Sequence, residues 1–221
     1  MSYKKFYNIF SPFILTITII LITINLIILY KPLYYVKIDS LNLTNFNSKE
    51  NIIRNYDYII DYLYDFPKNN KGEDFNLPTL PSSPEGKSHF KDVQKLIFKM
   101  NLCLGLSSLL SAIIVMKSIK DKYFKILKHT SLCLILLPIA LVLPILINFH
   151  SSFTLFHKLF FNNSNWLFDS QFDPIIKLLP QNFFLYMSIC IIGSLIFISI
   201  TLYVSYTFIN IRNKRKDYAL C

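Results

Sequence analysis

Four runs of apolar residues decide what this chain can fold into. Residues 10–30, 96–116, 130–149 and 183–209 are each about 20 residues or longer, and Lys99 is the one charged side chain in them. A hydrocarbon core of about 30 Å is crossed by roughly 20 helical residues. In lipid, backbone N–H and C=O groups must be satisfied within the structure, which leaves helices or closed barrels. The runs are continuous rather than alternating, so they predict an all-α membrane protein with four transmembrane helices. Charged residues make up 16% of the chain, below the quarter or so usual for soluble domains. The first run follows Lys4 and Lys5 as a signal peptide would, but it is too long for a signal core. Tyr30, Lys31 and Pro32 come after it instead of a small-residue cleavage site, so a retained span is expected.

Lysine and arginine placement sets the orientation. The amino end carries Lys4 and Lys5. The link between the second and third runs carries Lys117, Lys120, Lys122, Lys125 and Lys128 against Asp121. The tail carries Arg212, Lys214, Arg215 and Lys216 against Asp217. Segments 31–95 and 150–182 are each balanced in charge, so nearly all of the formal +10 lies on one side. Both termini are therefore expected in the cytoplasm. Outer loops 31–95 and 150–182 then form a small extracytoplasmic part of a single membrane domain, residues 1–221, in the cell membrane. The pI near 9.4 follows from this topology and does not point to nucleic acid. The four glycines include no phosphate-binding pattern, so no nucleotide is expected either. Cys103, Cys133 and Cys190 lie inside apolar runs and Cys221 ends the tail, which gives no disulfide framework. Cys221 is also misplaced for a prenylation box.

The outer loops are the one place large enough for a site. In the first, Tyr56, Ile59, Ile60 and Leu63 recur at helical spacing, predicting an amphipathic helix from about Ser48 that Phe66-Pro67 ends. Residues 67–86, rich in Asn, Pro and Ser, read as a loop. The stretch SPEGKSHFKDVQ, residues 83–94, opens a helix that continues into the second span. The second loop holds Phe153, Phe156, Phe160, Phe161, Trp166, Phe168 and Phe172, aromatics suited to the headgroup level of the outer leaflet.

Four histidines remain. His129 ends the basic link and reads as an interfacial anchor; His150 reads as structural. His89 stands four residues after Glu85 and three before Asp92, spacings that place all three on one helical face. His157 lies in the aromatic stretch SFTLFHKLFFNN, where an unpartnered imidazole is costly. An outer pair of histidines suits general-base work at neutral pH. Alternatively His89, His157, His150 and a carboxylate could hold zinc for a hydrolase, although there is no His-Glu-x-x-His. A third reading is a non-enzymatic protein whose outer loops bind lipid or a partner. No Gly-x-Ser-x-Gly elbow is present.

Glu85 with His89-Phe90-Lys91-Asp92-Val93, followed by Phe156-His157-Lys158-Leu159-Phe160-Phe161, Trp166, Phe168, Asp173 and Pro180, resembles the bacterial lipoprotein intramolecular transacylases. Where that family usually has Lys or Arg two residues after the Asp, this chain has Gln94. The resemblance implies four spans and an active site on the outer face. It implies that one ester-linked acyl chain of a diacylated lipoprotein moves to the α-amine of that lipoprotein's own amino-terminal cysteine. The product is an N-acyl, S-monoacylglyceryl lyso form. It implies His89 as general base, oriented by Glu85 or Asp92. His157 would contact the oxyanion or return the proton to the leaving alkoxide, with Trp166 and Asp173 in support. Ester to amide is downhill and both partners are in one molecule, so no cofactor and no metal are expected.

Overall fold

The computed structural model describes residues 3–65 and 75–218, and every regular element among them is helical. In chain order these are α1 (Tyr3–Leu29), α2 (Pro32–Tyr35), α3 (Lys49–Tyr64), α4 (Pro84–Lys120), α5 (Lys125–Ile147), α6 (Phe149–Phe160), α7 (Ile175–Leu178) and α8 (Gln181–Tyr218). A 3-10 turn at Leu43–Asn45 separates α2 from α3.

Segments of α1, α4 and α8 are long and apolar enough to cross a membrane. The third apolar run falls mostly on α5, a helix of 23 residues. The helices overrun the apolar runs. α4 has 37 residues, roughly 55 Å at the helical rise, against a hydrocarbon core of about 30 Å. Its first three turns, Pro84 to Lys95, carry five of its charged side chains and stand outside the apolar run. The break after the third run comes at Asn148, two residues earlier than its composition suggested. Asn148 is extended (φ −156°, ψ 99°), and its side chain caps α6 by accepting from Ser151 N–H at 3.0 Å.

The chain divides into two compact units. One comprises residues 1–24, 102–143 and 190–221. Small polar side chains join its helices, as is usual where lipid removes the hydrophobic drive to associate. Thr18 Oγ1 meets Ser111 Oγ at 2.8 Å, Ser199 Oγ donates to the Ser131 carbonyl at 2.8 Å, and Tyr7 donates to the Ile114 carbonyl at 3.1 Å. Large apolar side chains such as Leu106, Leu109, Ile113, Phe197, Val204 and Phe208 are exposed, as lipid-facing residues would be.

The other unit comprises residues 25–101 and 144–189. Its core is built on α3, whose register follows the expected periodicity: Ile52, Tyr56, Ile59, Ile60 and Leu63 are all buried. The helix starts at Ser48, as expected, and Ser48 caps it by accepting from Asn51 N–H at 3.3 Å. The helix runs to Tyr64; Phe66 and Pro67, the expected stop, lie outside the described residues. Tyr34 of α2 stacks on Tyr56 with ring centroids 3.8 Å apart, meets Phe183 edge-on, and donates to the Leu178 carbonyl at 2.7 Å. One ring thus gathers α2, α3, α7 and the start of α8. Gln94, buried, donates to the Tyr62 carbonyl at 2.6 Å and fixes α4 against α3. A neutral amide supplies here the N–H that a basic side chain could supply.

Candidate active site

α4 is capped before it reaches His89. Ser83 Oγ accepts from Gly86 N–H at 2.9 Å, with Pro84 at the first helical position. A capping box would place Glu or Gln at the third helical position to accept the cap residue's own N–H. Here that position is Gly86, and Asp173 does the accepting. Its Oδ1 takes Ser83 N–H at 2.8 Å and its Oδ2 takes Ser83 Oγ–H at 2.6 Å. A Cβ on Gly86 would lie 2.3 Å from Asp173 Oδ1, so glycine is what admits the carboxylate. Asp173 is 3% exposed, and the positive end of α4 favours its charge. It anchors the second loop to the helix start.

Two turns on, His89 is 7% exposed, and 68 residues later in the chain His157 of α6 is 9% exposed. Their ring centroids lie 5.7 Å apart. Aromatic rings enclose the pair. Phe161 and Phe168 meet His89 edge-on at 4.9 and 5.4 Å; Phe153, Phe156 and Trp166 surround His157 at 4.3, 5.5 and 5.0 Å. Amphipathicity explains α6: His157 turns inward while Leu155, Phe156, Leu159 and Phe160 are exposed.

The two imidazoles are held differently. His157 Nδ1 lies 2.7 Å from the Phe153 carbonyl oxygen. A carbonyl only accepts, so Nδ1 carries the proton and Nε2 keeps the lone pair. Nδ1 of His89 is buried with no hydrogen-bond partner. Burial pushes His89 down to about 4, reinforced by His157 and opposed by Asp92. Burial also lowers His157, with the Phe153 carbonyl opposing. Both rings are therefore neutral at neutral pH.

The carboxylates flanking His89 in sequence do not orient it. Glu85 is exposed. Asp92 accepts from Asn163 Nδ2 at 3.0 Å and pairs with Lys95 at 3.2 Å. Shared helical spacing put the three on one side of α4, but the aromatic loop covers His89 and leaves Glu85 in the open. His150 is exposed on α6 and meets Gln181 at 3.0 Å. Among the described residues no three His, Cys, Asp or Glu side chains converge as metal ligands, so the His89, His157, His150 and carboxylate set is not assembled. Trp166 stands beside His157. Sequence reasoning passed over Ser83, Gly86, Asn163 and Asn165, whose residue types signal only a loop or a helix start.

The family model described as lipoprotein intramolecular transacylase Lit matches residues 9–184. The in meso structure of the membrane integral lipoprotein intramolecular transacylase Lit from Bacillus cereus matches with a TM-score of 0.88 at 35% identity, covering 96% of this chain and 97% of that one. Two structures of the same Bacillus cereus protein, with one histidine changed to arginine or to alanine, match with TM-scores of 0.84 at 34% identity. Each covers 96% of this chain, and 94% and 95% of the respective relatives. No curated protein sequence matches. On the extent of the family match and the identity across nearly the whole chain, this protein belongs to the lipoprotein intramolecular transacylase Lit family.

Proposed function

We propose that this membrane transacylase moves an ester-linked acyl chain of a diacylglyceryl lipoprotein to the α-amine of that lipoprotein's own amino-terminal cysteine, with His157 as general base and His89 as hydrogen-bond donor. Membership of the Lit family supports a transacylase acting on lipoproteins. The observation that carries the assignment of roles is the 2.7 Å bond from His157 Nδ1–H to the Phe153 carbonyl, which leaves a lone pair on Nε2. The expectation from sequence gave the base to His89. Nδ1 of that ring has no hydrogen-bond partner to orient it, and burial makes it the weaker base.

The amine nitrogen attacks the ester carbonyl carbon, and His157 Nε2 takes its proton. The carbonyl oxygen becomes an oxyanion. A neutral His89 protonated on Nε2 donates to it, the tautomer that avoids burying an unpartnered N–H at Nδ1. The bond to the glycerol oxygen then breaks, and the imidazolium of His157 returns its proton to that oxygen. An amide and a glycerol hydroxyl result, with no net proton change. Enclosure by phenylalanine and tryptophan limits water as a competing nucleophile. Donor and acceptor share one molecule, so positioning supplies much of the rate.

The same reading makes α5 the fourth span and puts both termini in the cytoplasm, with the site on the extracytoplasmic face of the cell membrane. The lysine and arginine distribution supports it. A lipidated substrate and membrane lipid are then the partners, and the mechanism uses no cofactor, metal, nucleotide or nucleic acid. The test of roles is chemical rescue in purified protein. Added imidazole should restore transfer to His157→Gly, whereas His89→Gln, which keeps an N–H donor, should retain more activity than His89→Ala. Rescue of His89→Gly alone would reverse the assignment.

A further inference from the structure

We propose that Asn163 and Asn165 are positioning residues. They latch the aromatic loop to α4 so that Trp166 and Phe168 hold the two imidazoles in register, with Asp92 as the latch's anchor. Asn163 Nδ2 donates to Asp92 Oδ2 at 3.0 Å, and Asn165 Nδ2 donates to Ser88 Oγ at 3.1 Å. Ser88 and Asp92 are four residues apart on α4 and flank His89, so the two amides grip one face of the helix on either side of the imidazole. The latch is also braced from within. Trp166 Nε1–H donates to the Asn163 carbonyl at 3.0 Å, and Asn165 N–H donates to Asn163 Oδ1 at 3.0 Å. The residues that follow supply the rings: Trp166 at 5.0 Å from His157 and Phe168 at 5.4 Å from His89. A single segment therefore reaches both histidines, which come from different helices. An imidazole pair separated by 68 residues of chain needs such a common wall to keep its spacing, because neither ring hydrogen-bonds the other. Lys95 holds the far oxygen of Asp92 at 3.2 Å, so the anchor is fixed from both sides.

This inference rests on the two-imidazole reading of the site, and it has a readout that does not need catalysis. Trp166 is the one tryptophan in the chain, so intrinsic fluorescence reports the wall directly. The experiment uses the full chain in detergent and a synthetic diacylglyceryl-cysteine lipopeptide with a free α-amine. Asn163→Asp sets two carboxylates against each other. It should red-shift Trp166 emission and lower kcat by about ten- to a hundredfold, with KM changed far less, as displacement of reacting groups by about 1 Å would do. Asn163→Asp combined with Asp92→Asn restores an amide–carboxylate pair with the polarity reversed, and should recover both emission and most of kcat. Asn165→Ala should shift emission in the same direction by a smaller amount. If Asn163→Asp gave too little folded protein, Asp92→Ala, which removes the acceptor of the Asn163 amide, tests the same bond by the same two readouts. Unchanged emission and kcat in Asn163→Asp, or a double variant no better than the single, would overturn the latch. If His157→Asn kept full activity the catalytic reading would fail, while the latch would still stand or fall on the emission of Trp166.

Discussion

Gly86→Ala tests whether Asp173 completes the cap of α4. The structure supplies the magnitude. The new Cβ would stand 2.3 Å from Asp173 Oδ1 and 2.9 Å from its Cγ, distances no relaxed side chain tolerates, so the carboxylate must leave. Its departure breaks two hydrogen bonds, from Ser83 N–H and Ser83 Oγ–H. Bonds to a charged group are worth about 1.5–3 kcal/mol each. Alanine regains up to about 1 kcal/mol of helix propensity over glycine. The net loss should be about 2–5 kcal/mol, read as thermal unfolding of purified protein in detergent. Gly105 and Gly193 provide the control, since a Cβ at either meets nothing within 4 Å; alanine there should be neutral or slightly stabilising. A second control is the cycle. In an Asp173→Ala background Gly86→Ala should cost nothing further, because the atoms it would strike are gone. If Gly86→Ala proved as stable as Gly105→Ala, or if the two losses simply added, the account of Asp173 as the acid of a cap built across the fold would be wrong.

Substitution of His157 by Asn should lower transfer by ~10²–10⁴-fold with protein still in the membrane, and His150→Asn should be mild; mass spectrometry of one lipoprotein's amino-terminal peptide reads both. Because burial holds His89 at about 4 and lowers His157, an unfolded chain binds more protons than the folded one between about pH 4 and the usual imidazole value near 6.5. Their contribution to stability is therefore complete above about pH 6.5 and lost as pH falls toward 4, which a series of thermal unfolding curves would reveal. For the same reason the acid limb of kcat/KM should follow the substrate's α-amine near pH ~8; a bend at about 6.5 would mean an unperturbed imidazole controls the rate. Lipoprotein carrying isotope-labelled acyl chains, mixed with unlabelled phospholipid, should yield an N-acyl product bearing only label and still two chains in all; unlabelled chains on nitrogen would refute intramolecular transfer. A cysteine at Ser164 should react with an impermeant maleimide in whole cells and one at Lys120 should not, the reverse result inverting the membrane orientation.

Some features are determined by the chain locally, and these were legible in the sequence. Apolar runs of about 20 residues leave the backbone no option in lipid but to bond to itself along a helix, so the helices on 10–30, 96–116 and 183–209 follow from composition. The buried stripe of α3 follows from its 3.6-residue period, and the Ser48 cap from one side chain three residues from its donor. An imidazole among phenylalanines marked His157, because such a group is costly without a purpose. Relations between distant parts of the chain were decided only by the tertiary structure. Spacing places Glu85, His89 and Asp92 on one side of a helix but cannot tell which of them another segment will cover. The aromatic loop covers His89, exposes Glu85 and claims Asp92 for Asn163. Asp173 reaches Ser83 across 90 residues, and its partner glycine carries no local sign of the carboxylate it admits. The physical reason is the same in each case. Helix formation is set by neighbours three and four residues away, whereas the protonation, partners and orientation of a buried polar group are set by whatever packs on it from elsewhere in the chain.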